Sequence, residues 1–159
     1  MVIKKLIVHC SDSGFGTAEL INKWHTEERG WSAIGYHFVI TNGVFVSGKP
    51  YNQKQDGIVQ KGRSVERSGA HCRGHNRSSL GICMIGKEHF SDAQRIALMA
   101  TVLELCGVHE LEPGDVYGHY EFDDGKSCPN MSMGVFREDL GFRLKNLRTN
   151  RSYTSGGKK

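Results

Sequence analysis

Apolar residues recur along this chain in short runs, and their spacing predicts strands alternating with helices. Val2 to Val8 is aliphatic apart from Lys4 and Lys5, as expected of a buried strand. Thr17 then offers an N-cap for a helix to about Arg29, with Glu19 in the first turn, Leu20, Ile21 and Trp24 on one face, and Gly30 as the stop. Gly35 to Thr41 reads as the next strand. Asn42-Gly43 carries a hairpin-turn signature, and Val44-Phe45-Val46 is expected to return beside it. Asp56-Gly57 gives a second turn signal before Ile58-Val59. Gly62 to Ser79 is polar, holds several Gly and Arg, lacks a clear period, and is read as a long loop.

Leu80 to Gly86 is almost wholly apolar, which predicts a central strand covered on both faces. Ser91-Asp92-Ala93-Gln94 has the form of a capping box, and Ile96, Leu98, Met99, Val102, Leu103 and Leu105 follow at helical spacing up to Gly107. Pro113-Gly114 turns the chain into a short Val116-Tyr117 strand. Ser132 can cap a last helix carrying Phe136, Leu140, Leu144 and Leu147. Residues 150–159 are small, polar and basic, and are expected to be a mobile tail on a domain spanning 1–149. The order β, α, β-rich middle, β, α, β, α implies an α/β fold with a single mixed central sheet flanked by helices.

Composition narrows this little. A chain of 159 residues with 38% hydrophobic and 24% charged content is one domain with a core of its own. The net charge of +4 and pI near 8.8 suit an anionic partner, cell-wall polymer or nucleic acid, without choosing between them. Five cysteines, none in a CxxC pair, argue against a disulfide framework and for synthesis in a reducing compartment. The N-terminal stretch holds no apolar run long enough for a signal peptide or a membrane span, so a target outside the cytoplasm is expected to need another means of delivery.

Chemistry enters at the ends of two strands. His9 closes the run Leu6-Ile7-Val8, and His119 closes Val116-Tyr117 before an acidic, Gly-containing loop that ends in Lys126-Ser127-Cys128-Pro129. Two imidazoles and a thiolate supply three ligands and leave a tetrahedral position open, the arrangement of a catalytic zinc. Cys10 alternates to the face opposite His9 and is expected to pack as a thiol. A rival grip, His71-Cys72-x-x-His75 with Cys83, matches no standard zinc spacing. Arg63, Arg67, Arg73 and Arg77 could hold carboxylates or form a solvated basic loop.

Taken together, Val8-His9-Cys10-Ser11, Gly35-Tyr36-His37-Phe38, Gly69-Ala70-His71, His75-Asn76, Leu80-Gly81-Ile82-Cys83, Gly118-His119 and Lys126-Ser127-Cys128-Pro129 resemble, in order, the zinc-dependent N-acetylmuramoyl-L-alanine amidases of the phage-lysozyme type, relatives of the peptidoglycan recognition proteins. The resemblance spans roughly residues 3 to 147. It implies the peptidoglycan recognition protein-like amidase fold and cleavage of the amide between N-acetylmuramic acid and the L-alanine of the stem peptide, by a phage or prophage endolysin. It implies Zn2+ on His9, His119 and Cys128, catalytic roles for Tyr36 and Lys126, and substrate binding at His71, Asn76 and Arg63. Tyr36 and His37 are adjacent on a strand, so only one should face the metal; the resemblance gives that place to Tyr36 and leaves His37 packed.

One segment departs from the pattern, because roughly Thr41 to Gln55 looks like an inserted hairpin. The partner implied is bacterial peptidoglycan, met by a monomer made in the host cytoplasm and let through to the cell wall by a holin. Some phage lysozymes of this type also bind RNA polymerase, and nothing in the sequence bears on that. The alternative is a non-catalytic peptidoglycan-binding module, against which the presence of His9, His119 and Cys128 together argues; a bacterial recycling amidase or a secreted effector would fit the same sequence.

Overall fold

A computed structural model describes residues 1–155 of the chain. Strands β1 (Lys5–Cys10), β2 (Phe38–Asn42), β3 (Asp56–Lys61), β4 (Ser79–Met84) and β5 (Val116–Gly118) form one sheet in the order β3-β2-β4-β1-β5. β1 is parallel to β4 and β5, and β2 is parallel to β4. The edge strand β3 pairs antiparallel with β2. Helices α1 (Ala18–Lys23), α2 (Asp92–His109) and α3 (Met133–Ser155) complete the mixed α/β fold expected from the element order.

Strand alternation divides the interior in two. Leu6 and Val8 of β1, Ile82 of β4 and Ile40 of β2 meet Leu98 and Val102 of α2 and Leu140 of α3 in the large core. Each such residue, removed fully from water, contributes about 1.5–3 kcal/mol. On the other face Val39, Cys83 and Ile85 pack with Ile21 and Ile34 in a smaller cluster. His9 shares that second face with Ile7, where fewer apolar groups compete for space.

The start of α2 is clamped to the sheet. Ser91 and Gln94 form the expected capping box, and the Gln94 amide nitrogen also donates to the carbonyl of Ile85 at 2.7 Å. Thr17 caps α1, its hydroxyl accepting from the Leu20 N–H at 3.1 Å. That helix does not continue in α form to Arg29, because Trp24–Glu28 is a π-turn, and such turns often occur at functional sites.

Two turn expectations fail. Val44 to Val46 form no strand; the partner of β2 is β3, and residues 43–55 connect them irregularly until the short 3-10 turn Gln53–Gln55. Asn42 directs this by using its side chain locally, accepting from the Val44 N–H at 3.1 Å and donating to Gly14 O at 2.8 Å. Asp56-Gly57 is likewise inside β3. Gly57 has φ +71°, and a β-carbon there would lie 2.7 Å from Ala93 O, so the dipeptide marks a register shift in the ladder rather than a loop. At the C-terminal end, α3 runs to Ser155, past Thr149, where a mobile tail was expected to begin. The remainder of that tail, 156–159, lies outside the described residues. No helix among the described residues is long and apolar enough to cross a membrane.

Candidate metal and active site

Because β1 and β5 are parallel neighbours, with Val8 opposite Gly118, the residues that follow each register pair emerge side by side at the C-terminal edge of the sheet. His9 and His119 are those residues, and their ring centroids are 4.6 Å apart. The loop after His119 folds back through a hydrogen bond from the Tyr120 N–H to Cys128 O at 2.9 Å. This returns Cys128 to β1, where the Cys10 N–H donates to its Sγ at 3.0 Å. One donor atom from each of His9, His119 and Cys128 falls within 4.8 Å of the other two.

The turn carrying His119 is braced from α3. Glu121 accepts from the Gly118 N–H at 2.7 Å and is held in turn by Arg137 at 3.0 Å, and Arg137 also donates to Val116 O. Asn130 reaches across to donate to Lys87 O at 2.7 Å, fastening the far side of the Cys128 loop.

The donor set fits a metal ion. Burial, reinforced by the neighbouring His71 and His119, holds His9 well below the ordinary histidine pKa, so it is a neutral imidazole with a lone pair to give. His119 is also lowered, chiefly by burial, and Lys126 pushes the same way. Pairing with Cys10 and burial both push the Cys128 thiol up, so a cation is what would ionise it. Nδ1 of His9 is the buried side-chain nitrogen that has no hydrogen-bond partner among the described residues. Buried polar atoms are nearly always satisfied, and an ion between the three donors would satisfy this one.

A cleft of about 610 Å³ opens over these groups, lined among others by Tyr36, His71, Lys126 and the π-turn residues Trp24 and His25. Tyr36 lies with its ring 5.1 Å from that of His9. Burial raises its pKa well above the ordinary phenol value, so it keeps its proton and acts as a donor. Tyr36 and His37 both fall on the His9 side, because β2 starts only at Phe38 and the strict alternation expected of them does not apply. His37 is the packed one: it accepts from the Gly81 N–H at 2.9 Å through Nδ1 and donates to Arg67 O at 3.0 Å through Nε2. His25, missed in the sequence, accepts from the Gly35 N–H at 3.0 Å, and burial lowers its pKa to about 4.

The remaining site expectations divide. Lys126 lines the cleft from an exposed loop. His71 lines it too, but with both ring nitrogens turned inward, to His9 and to Ser79. Arg63 and Asn76 stand outside the cleft. Arg63 gives its guanidinium to three backbone carbonyls, Ile34 at 2.7 Å, Ser68 at 2.8 Å and Ala33 at 3.0 Å. Asn76 Oδ1 accepts from the N–H groups of His71 and Cys72 at 2.8 and 2.9 Å. Both therefore shape the long loop. The His71-Cys72-x-x-His75 alternative does not assemble, since His75 stacks on Phe122 with centroids 4.1 Å apart. All five cysteines are free thiols.

Comparison with known proteins gives the chain a family. The family described as N-acetylmuramoyl-L-alanine amidase matches residues 1–131. Among curated relatives, the endolysin of Enterobacteria phage T3 is 30% identical over 140 residues, covering 80% of this chain and 81% of that protein. The endolysin of Escherichia phage T7 matches with the same identity and coverage. Among solved structures, the amidase LysC from Clostridium intestinale URNW superposes with a TM-score of 0.72 at 24% identity, covering 91% of this chain and 87% of that one. Bumblebee peptidoglycan recognition protein SA gives 0.65 at 28% identity, covering 81% and 76%.

Proposed function

This chain belongs to the N-acetylmuramoyl-L-alanine amidase family, and from that premise we propose that it is a zinc-dependent endolysin whose ion is held by His9, His119 and Cys128. The observation that carries the zinc reading is the convergence of three donor atoms from opposite ends of the chain on an otherwise unpartnered His9 Nδ1. Two imidazoles and one thiolate are a zinc donor set, and three protein ligands leave a position for water or substrate. Bound there, zinc would acidify water and polarise the scissile carbonyl.

The chain's own groups supply the rest. Tyr36 stays protonated and offers its hydroxyl as a donor to the reacting carbonyl. Lys126 brings a positive charge toward the oxygen on which negative charge develops; losing one such donor typically costs about 10²–10³ in rate. It also offsets the negative charge that a thiolate ligand brings to the centre. The cleft is the place this reading gives to the glycopeptide; Lys126 on its rim suits a carboxylate of the stem peptide, whereas Lys87 is paired with Asp12 at 3.3 Å. The substrate lies in the bacterial cell wall, and a holin is the partner this reading proposes for reaching it.

Metal analysis with sacculus digestion tests this reading. The purified protein should carry one zinc per chain, lose turnover on chelation and regain it with zinc, and Cys128→Ala should lose metal and turnover together. Metal-free protein that digests sacculi at the full rate would refute it.

A further inference from the structure

His71 occupies a slot built for its ring. A β-carbon on Gly69 would lie 2.4 Å from His71 Cδ2, and one on Gly81 would lie 2.5 Å from His71 Cγ, so any larger residue at either place would overlap the imidazole. The backbone from which the ring leaves is held by Asn76, through the two hydrogen bonds described above. Gly81 sits in the central strand β4, where glycine weakens a strand, so accommodating this ring carries a cost to the sheet.

The hydrogen bonds through the slot have a direction. The Ser79 hydroxyl donates to the carbonyl of His75 at 2.8 Å, and a carbonyl can only accept. With its proton committed, Ser79 Oγ accepts from His71 Nε2 at 3.3 Å, which puts the His71 proton on that nitrogen. His71 Nδ1 is then an acceptor, and at 3.0 Å it receives the Nε2–H of His9. The one atom left with a free lone pair is His9 Nδ1, which is the buried, unpartnered nitrogen at the three-donor cluster.

We propose that His71 is a positioning residue, which through Ser79 and the His75 carbonyl fixes the ring angle and Nε2–H tautomer of His9 and so presents Nδ1 to the ion. It is not a substrate ligand, because neither of its nitrogens is free to meet one. The proposal rests on the metal reading above for its consequence, though the tautomer itself belongs to the protein without metal. Partners of this kind behind a ligating histidine typically change metal affinity by about 10–100-fold.

The test has two arms. In metal-free wild-type protein, long-range proton–nitrogen NMR of the imidazoles should show His9 as the Nε2–H tautomer; the Nδ1–H tautomer would overturn the proposal whether or not zinc binds. In the second arm, zinc affinity is measured by competition with a chromophoric chelator for wild type, His71→Leu, His71→Asn and Ser79→Ala, with circular dichroism as the check on folding. His71→Leu should weaken zinc by about 10–100-fold. His71→Asn, whose amide oxygen can stand where Nδ1 stood, should recover much of the loss, and Ser79→Ala should show a smaller loss in the same direction. Unchanged zinc affinity with a raised KM in folded His71→Leu would make His71 a substrate group and overturn the proposal. A wild type that binds no zinc would instead refute the metal reading, and the tautomer in the first arm would still decide this one.

Discussion

Substituting Gly81 by alanine should damage the metal site without touching a ligand. In an ordinary strand the change would be favourable by about 0.5–1 kcal/mol, since alanine loses less backbone freedom on folding. Here the added carbon would sit 2.5 Å from Cγ, 2.7 Å from Cδ2 and 2.8 Å from Nδ1 of His71. The ring has nowhere to retreat, because Gly69 approaches its edge and its nitrogens are tied to His9 and Ser79. Overpacking of this kind costs about 1–3 kcal/mol, which outweighs the backbone gain or at best cancels it. For a chain of this size each net kcal/mol lowers the melting temperature by about 2–4 °C. Calorimetry and zinc competition on Gly81→Ala should therefore show a destabilised protein with weakened metal binding. Adding His71→Ala to Gly81→Ala should cost less than His71→Ala alone, because the overlap is relieved. A Gly81→Ala protein as stable as wild type, with unaltered zinc affinity, would refute the slot.

Other outcomes follow from the same geometry. Lys126→Ala should keep its zinc and lose about 10²–10³ in kcat, read from sacculus turnover at saturating metal. Arg63→Lys keeps the charge but cannot serve the three carbonyls of Ala33, Ile34 and Ser68 together, so it should lower the melting temperature and leave KM for peptidoglycan within twofold or so. His25, held near pKa 4 by burial against an unfolded value of 6.5, binds its proton in the unfolded chain first as pH falls. Its share of stability is complete above pH 6.5 and is lost as pH drops toward 4, by at most about 1.4 kcal/mol per pH unit. His25→Asn, which keeps an acceptor for the Gly35 N–H but has no charge to gain, should flatten the fall of melting temperature across that window.

Much of this was legible in the residues for identifiable reasons. His9 and His119 stood out because each ends an apolar run, and parallel pairing of β1 with β5 then brings strand ends together. The α2 boundary was legible because Ser91 and Gln94 act within one turn. The antiparallel partner of β2 was not, because Asn42-Gly43 has the composition of a tight turn while the choice between Val44–Val46 and Asp56–Lys61 rests on contacts distant in sequence. Arg63 looked like a substrate group by residue type and by resemblance; its three backbone acceptors become visible only when the loops are folded. The bond from His9 to His71 joins residues 62 positions apart. Its one local trace is Gly81, a glycine inside an otherwise apolar run, which marks a close approach without saying by what.

End-group analysis of purified sacculi digested by the zinc-loaded protein tests the central claim most directly. The account predicts new free amino groups on L-alanine, no new reducing sugar ends, and loss of both turnover and product when the metal is chelated. New reducing ends, or release of alanine amines undiminished by chelation, would contradict it.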